Sequence, residues 1–336
     1  MKAATSSMPL LRRRTLLQIG ALGVAAGLAG CAQGVIRPTL RAPADILPSL
    51  WRRQLPAPWR FEPLSGSTPF QSPWTKPTDL LALADGWLSS LTPDQLQSVA
   101  APALAARLGA LGQRFLTEAP SAWSSKLLPV GFSPYVLLFR QEGRARPAAD
   151  AGWMTLLDPA LKGKVLLPAS PRLLMSLADH MDAPDGLSRL RQAAISFDDR
   201  YGLNWLLQGD ARVAVLPLQR CMQALKRDPR LTAVLPESGA PLHWTLLARP
   251  AGTAEPLPQA WVSEAWRPPL LARLLAQGWI PPLPREELLE AGGRVPTDLR
   301  TLVLPSQEVW MRSWTLYPAS EDEVRRLQQR WRSSAP

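Results

Sequence analysis

Imidazole and thiol chemistry is almost missing from this chain, whose 336 residues include two histidines and two cysteines. His180 and His243 fall in no ligand spacing such as H-x-x-x-H, and Cys31 and Cys221 are too few for a cysteine metal site. No metal and no cofactor is expected. Also missing are G-x-S-x-G and an S-x-x-K near an S-D-N, so the scattered Ser, His and Asp residues form no hydrolase pattern and no enzyme is expected. Beyond residue 31 no run is long and apolar enough to span a bilayer. Acids are the scarcer charge, 27 against 38 Lys and Arg, for a formal net charge of +11. Four basic residues (Lys2, Arg12, Arg13, Arg14) precede residue 32, where no acid occurs, which leaves +7 for the remainder. Arginine is scattered there, and the pairs Arg52-Arg53 and Arg325-Arg326 read as solvated helix faces. Without a basic stripe, nucleic acid is not an expected partner.

What abounds is proline, 36 residues, and tryptophan, 14. Proline stiffens loops, and tryptophan offers broad apolar faces for packing or for a ligand. The beginning of the chain is equally distinctive. Arg12-Arg13-Arg14-Thr15-Leu16-Leu17-Gln18 leads into the apolar run Ile19 to Leu28. A basic region, a short apolar region and small residues before a cleavage point form an export address. The paired arginines resemble the twin-arginine signal, and Leu28-Ala29-Gly30-Cys31 resembles the lipobox of bacterial lipoproteins, in which the cysteine is acylated. The competing reading, one transmembrane helix over 15–30, is disfavoured because about 20 apolar residues are needed to span. Residues 1–31 are expected to be a signal peptide, and a lipid on Cys31 to tether the protein to a membrane outside the cytoplasm. Cys221 is then a lone, inert buried thiol.

Along the rest of the chain, strands are expected at 38–42, 59–64, 79–85, 164–167 and 213–216. Helices are expected after Asp45 as N-cap, from Trp87, over 93–115, and from Pro171 to His180. This βα alternation argues for a mostly parallel sheet wrapped by helices. Two long extended segments, 126–140 and 242–249, each leave one βα set for the other. The chain is therefore expected to cross twice between two lobes, with a ligand cleft between them.

Three stretches carry a resemblance. They are Leu235-Pro236-Glu237-Ser238-Gly239-Ala240-Pro241-Leu242-His243-Trp244 running on to Leu247-Ala248-Arg249-Pro250, Trp153 to Pro159 with Leu161-Lys162-Gly163-Lys164 and Ser170-Pro171-Arg172, and Leu207-Gln208-Gly209-Asp210-Ala211-Arg212-Val213-Ala214-Val215. In their order they resemble the bacterial extracytoplasmic solute-binding proteins of ABC importers, within them the spermidine/putrescine-binding group. The resemblance implies an α/β periplasmic-binding-protein type II fold, two α/β lobes joined by crossover strands. It also implies a small solute and ABC permease subunits as partners. The expected division is a signal at 1–31, a tether at 32–37, lobe one at 38–136, lobe two at 137–245, a return to lobe one at 246–290, and a C-terminal segment at 291–336 packing on lobe two.

The resemblance implies a cleft in which carboxylates hold ammonium groups and aromatic rings line the methylene chain. The candidate ligand-binding residues are Asp45, Asp85, Trp87, Phe132, Ser170, Arg172, Asp198, Asp199, His243, Trp244 and Trp279. Asp85 lies at the C-terminal end of a strand, the edge where open α/β sheets bind ligands. Ser170, Leu173 and Thr245 align with acids of the family. Their replacement predicts weakened polyamine binding, and Arg172 admits a ligand with an anionic group. The alternative is a binding-fold lipoprotein that has lost polyamine binding and serves another ligand or a partner-binding role.

Overall fold

Strands without a polar face fix the architecture. In the computed structural model, which describes residues 37–64, 78–141, 149–198 and 201–335, β3 (Leu80–Ala84) is buried at all five positions. β5 (Leu127–Arg140) is buried at every position but its last. Such runs are stable only where both faces of a sheet are covered. One sheet results, in the order β2-β1-β3-β10-β5-β8-β6-β7, with β4 (Leu96–Gln97) added on β10 and β9 (Leu231–Val234) on β5. β1 (Thr39–Ala42) pairs in parallel with β2 (Arg60–Pro63) and with β3. β6 (Val165–Leu167) pairs in parallel with β7 (Ala194–Phe197) and β8 (Val213–Pro217). Between these two parallel sets, β10 (Leu242–Pro250) runs antiparallel to β3 and β5.

β5 joins the two wings of the sheet. Its first half, Leu127 to Pro134, pairs with β10, and its second half, Tyr135 to Arg140, pairs with β8 and β9. β10 pairs with first-wing strands from Leu242 onward. Four helices matter below: α1 (Ala110–Glu118), α2 (Pro171–Asp179), α3 (Leu218–Leu225) and α4 (Glu321–Ser333). α4 rests on the second wing, where Arg330 bonds Asp179 and Arg191 stacks on Trp331. The segment before it also reaches the first wing, since Arg114 donates to the carbonyls of Met311 and Ser313.

Two expectations need correcting. The helix expected over 93–115 is broken into a 3-10 turn, β4 and two helices, of which α1 is the last. Pro93 and Pro102 remove main-chain donors, and Gly109 packs so closely on Leu283-Pro284 that no Cβ fits. Asp45 caps no helix: the short helix Ser49–Arg52 starts after Pro48. Among the described residues no helix is long and apolar enough to cross a membrane. The expected signal, Cys31, the tether up to residue 36 and Asp199 lie outside the described residues.

Candidate functional site

Parallel strands point their C-terminal ends at one edge, and that edge gathers most of the charged candidates. Asp45 follows β1, Asp85 follows β3, Ser170 and Arg172 follow β6, Asp198 ends β7, and α3 follows β8. From α3, Arg220 reaches across to an ion pair with the Asp45 carboxylate, and the Gln219 side chain donates to the Asp45 carbonyl at 3.3 Å. These contacts join the two wings. Arg220 was not among the sequence candidates. Its position three residues past Pro217, at a strand's C-terminal end, was the available signal.

Asp85 is the buried acid of the site, its side chain 8% exposed. Burial pushes its carboxyl up from 3.8 to about 7, against the Trp244 and Gly86 main-chain N–H groups and the Arg172 charge, all of which favour the anion. The Trp244 N–H donates to Asp85 Oδ1 at 3.3 Å. His243 Nδ1 lies 3.9 Å from the same oxygen, beyond hydrogen-bond reach. Burial, with the Arg220 charge, pulls His243 down from 6.5 to about 4. Burial thus disfavours charge on both partners. Arg172 opens α2 and lies 3.7 Å from Glu323 of α4. Desolvation lowers its pKa, while Glu323 and Asp85 support its charge.

The remaining candidates are packed or bonded within the fold. Trp279, expected as a ring wall, is fully buried, stands 5.2 Å from Trp51, and donates from Nε1 to Thr245 Oγ1 at 3.0 Å. It is a core ring. Trp244 and Phe132 are buried and lie 5.2 Å apart. Side chains alternate along a strand, so this pair faces away from its neighbours His243 and Ser133. Trp87 is half-buried against the core. Ser170 caps α2 by accepting the Leu173 N–H, and Leu173 is buried. Asp198 Oδ1 accepts the Tyr201 N–H at 2.9 Å at the entry to the helix Gly202–Gln208. Cys221 is buried in α3, its thiol pushed up to about 12 by burial. At the edge, beside Ser170 and Asp198, are Asp45, Asp85, Arg172, Arg220 and His243, with Glu323 behind Arg172.

No protein-family model matches the chain, and no curated protein sequence does. Solved structures do match. The TpPotD lipoprotein of Treponema pallidum has a TM-score of 0.65 at 11% identity, covering 89% of this chain and 99% of that one. An ABC transporter substrate-binding protein from Bradyrhizobium japonicum has a TM-score of 0.62 at 16% identity, with coverage of 89% and 99%. The spermidine/putrescine ABC transporter substrate-binding protein PotD of Streptococcus pneumoniae has a TM-score of 0.61 at 12% identity, covering 88% and 98%. At such identities the likeness is one of architecture. The chain has the mixed α/β type II periplasmic-binding-protein fold that these structures share.

Proposed function

We propose that the protein is an extracytoplasmic solute receptor of an ABC importer, tethered by lipid at Cys31, that delivers a small solute to membrane permease subunits. The fold supports the class of function, and the charges at the strand ends carry the reading of the ligand. Acids stand on the first wing, Asp45 and Asp85, and arginines on the second, Arg172 and Arg220. A polyamine carries only cationic groups. Two guanidiniums in the same cleft repel it, and aligned Ser170, Leu173 and Thr245 supply no carboxylate. A solute with both an ammonium and an anionic group matches both wings.

Calorimetry with spermidine, putrescine, amino acids and organic acids tests this. Each charge-assisted hydrogen bond lost to a polyamine removes about 1.5 to 3 kcal/mol, so two losses weaken binding by roughly two to four orders of magnitude. The expected result is a zwitterionic or anionic ligand bound more tightly than either polyamine. Submicromolar spermidine binding that survives Asp85→Asn contradicts it. The second reading, a receptor fold serving as a partner-binding lipoprotein, is favoured by one observation: Asp45 and Arg172 already have partners within the protein, Arg220 and Glu323.

A further inference from the structure

On the far side of β5 and β10 from Asp85 lies a cavity of about 430 Å³, within the size range of small-molecule sites. Its apolar wall includes Phe132, Leu111, Pro282 and Leu283. Arg285 and Trp310 complete it. Two donors in that wall are buried without an acceptor: the indole Nε1 of Trp310, a residue only 4% exposed, and Nη1 of Arg285. They belong together, because the Arg285 guanidinium carbon lies 5.0 Å from the centre of the Trp310 ring. Burying a donor unpaired is unfavourable, and two in one cavity wall call for an acceptor from outside.

The main chain adds donors of the same kind. α1 begins at the cavity from Gly109, an extended N-cap with no side-chain cap. The N–H groups of Ala110 and Leu111 stand at the first two helical positions, where no intrahelical acceptor exists. The wall is already built: the Gly109 N–H bonds the Pro282 carbonyl at 2.8 Å, and a Cβ at Gly109 would strike the Leu283-Pro284 backbone. Glu286 also lines the cavity and is exposed to solvent.

We propose that this cavity binds a small carboxylate with an apolar body. Arg285, Trp310 Nε1 and the first turn of α1 take the carboxylate, and Phe132 and the proline turn take the body. The site is separate from the strand-end cleft and does not depend on which solute fills that cleft. Trp244 links it to the cleft, since its ring touches Phe132 and its N–H bonds Asp85.

The test is calorimetric titration of the full chain with phenylacetate and indole-3-acetate, with phenylacetamide and acetate as controls. Saturable binding of an arylacetate is expected, with the amide and acetate at least about tenfold weaker because each lacks one half of the recognition. Three variants locate it. Trp310→Phe removes the indole donor, and Arg285→Gln removes the charge. Ala110→Pro removes a main-chain donor at a position that favours proline, behind an extended glycine, so the fold is retained. Each is expected to weaken arylacetate binding by about fivefold or more. No saturable binding of either arylacetate to the wild type, or binding unchanged in all three variants, overturns the proposal.

Discussion

Trp279 owes its place to a missing side chain. A Cβ on Gly131 would lie inside the indole at Cε2 and Cζ2, so Gly131→Ala must push the ring off Trp51 and break its bond to Thr245. A loss of about 1 to 3 kcal/mol is expected, as for other overpacked cores, read as a lower denaturant midpoint at unchanged slope. Such a position is illegible in sequence, since an indole with one polar handle reads alike at a cleft and in a core. Arg220 was missed for a different reason: its partner Asp45 lies 175 residues away, and no local pattern links them.

Asp85 and His243 give the site opposed pH dependences. The fold raises Asp85 from 3.8 to about 7. Folding therefore takes up a proton between those values, and stability falls as pH rises through them. The fold lowers His243 from 6.5 to about 4, so its contribution is present above 6.5 and is lost as pH falls toward 4. The two slopes oppose each other between about pH 4 and 6.5. The Asp85 side chain is 8% exposed and the His243 side chain 20%, so the larger swing belongs to Asp85. Asp85→Asn is expected to leave stability rising with pH across the histidine window, and His243→Asn to leave it falling across the aspartate window. Each swing amounts to a few kcal/mol, because a tenfold change in proton affinity is worth about 1.4 kcal/mol. Denaturant unfolding at several pH values measures both.

At the scale of elements, one hydroxyl ties α3 to β5. Ser133, fully buried in β5, accepts the Gln219 N–H at 2.8 Å. α3 begins after Pro217 with no side-chain cap of its own, so Ser133 serves as its cap from another strand. Ser133→Ala is expected to cost about 1 to 2 kcal/mol and to speed exchange of the Gln219 amide, a readout that general loosening of the core would not confine to that residue. The strands were legible because apolar runs bounded by proline and polar residues admit little else, and β5 and β10 match the two long extended segments. The region 93–115 was not legible as a broken chain, because its alanine and leucine periodicity fits a helix until Pro93, Pro102 and the close contact at Gly109 interrupt it.

At the scale of the molecule, the two wings share β5 and meet again at the ion pair of Arg220 with Asp45. Both partners are partly exposed, at 30% and 52%, so the pair contributes at most about 1 kcal/mol and is weakened by salt. A contact of that size is a latch a ligand can replace, because binding need only offer a better partner to one of the charges. The twofold crossing expected from the sequence rests on the same extended segments, while the latch rests on side chains brought together only by the fold. Small-angle X-ray scattering of the wild type and of Arg220→Ala tests whether the wings close on a small solute. A larger radius of gyration is expected for Arg220→Ala than for the wild type, with contraction of the variant when a solute identified by calorimetry is added. Equal radii for the two proteins, unchanged across the whole panel of amino acids, organic acids and polyamines, would contradict it.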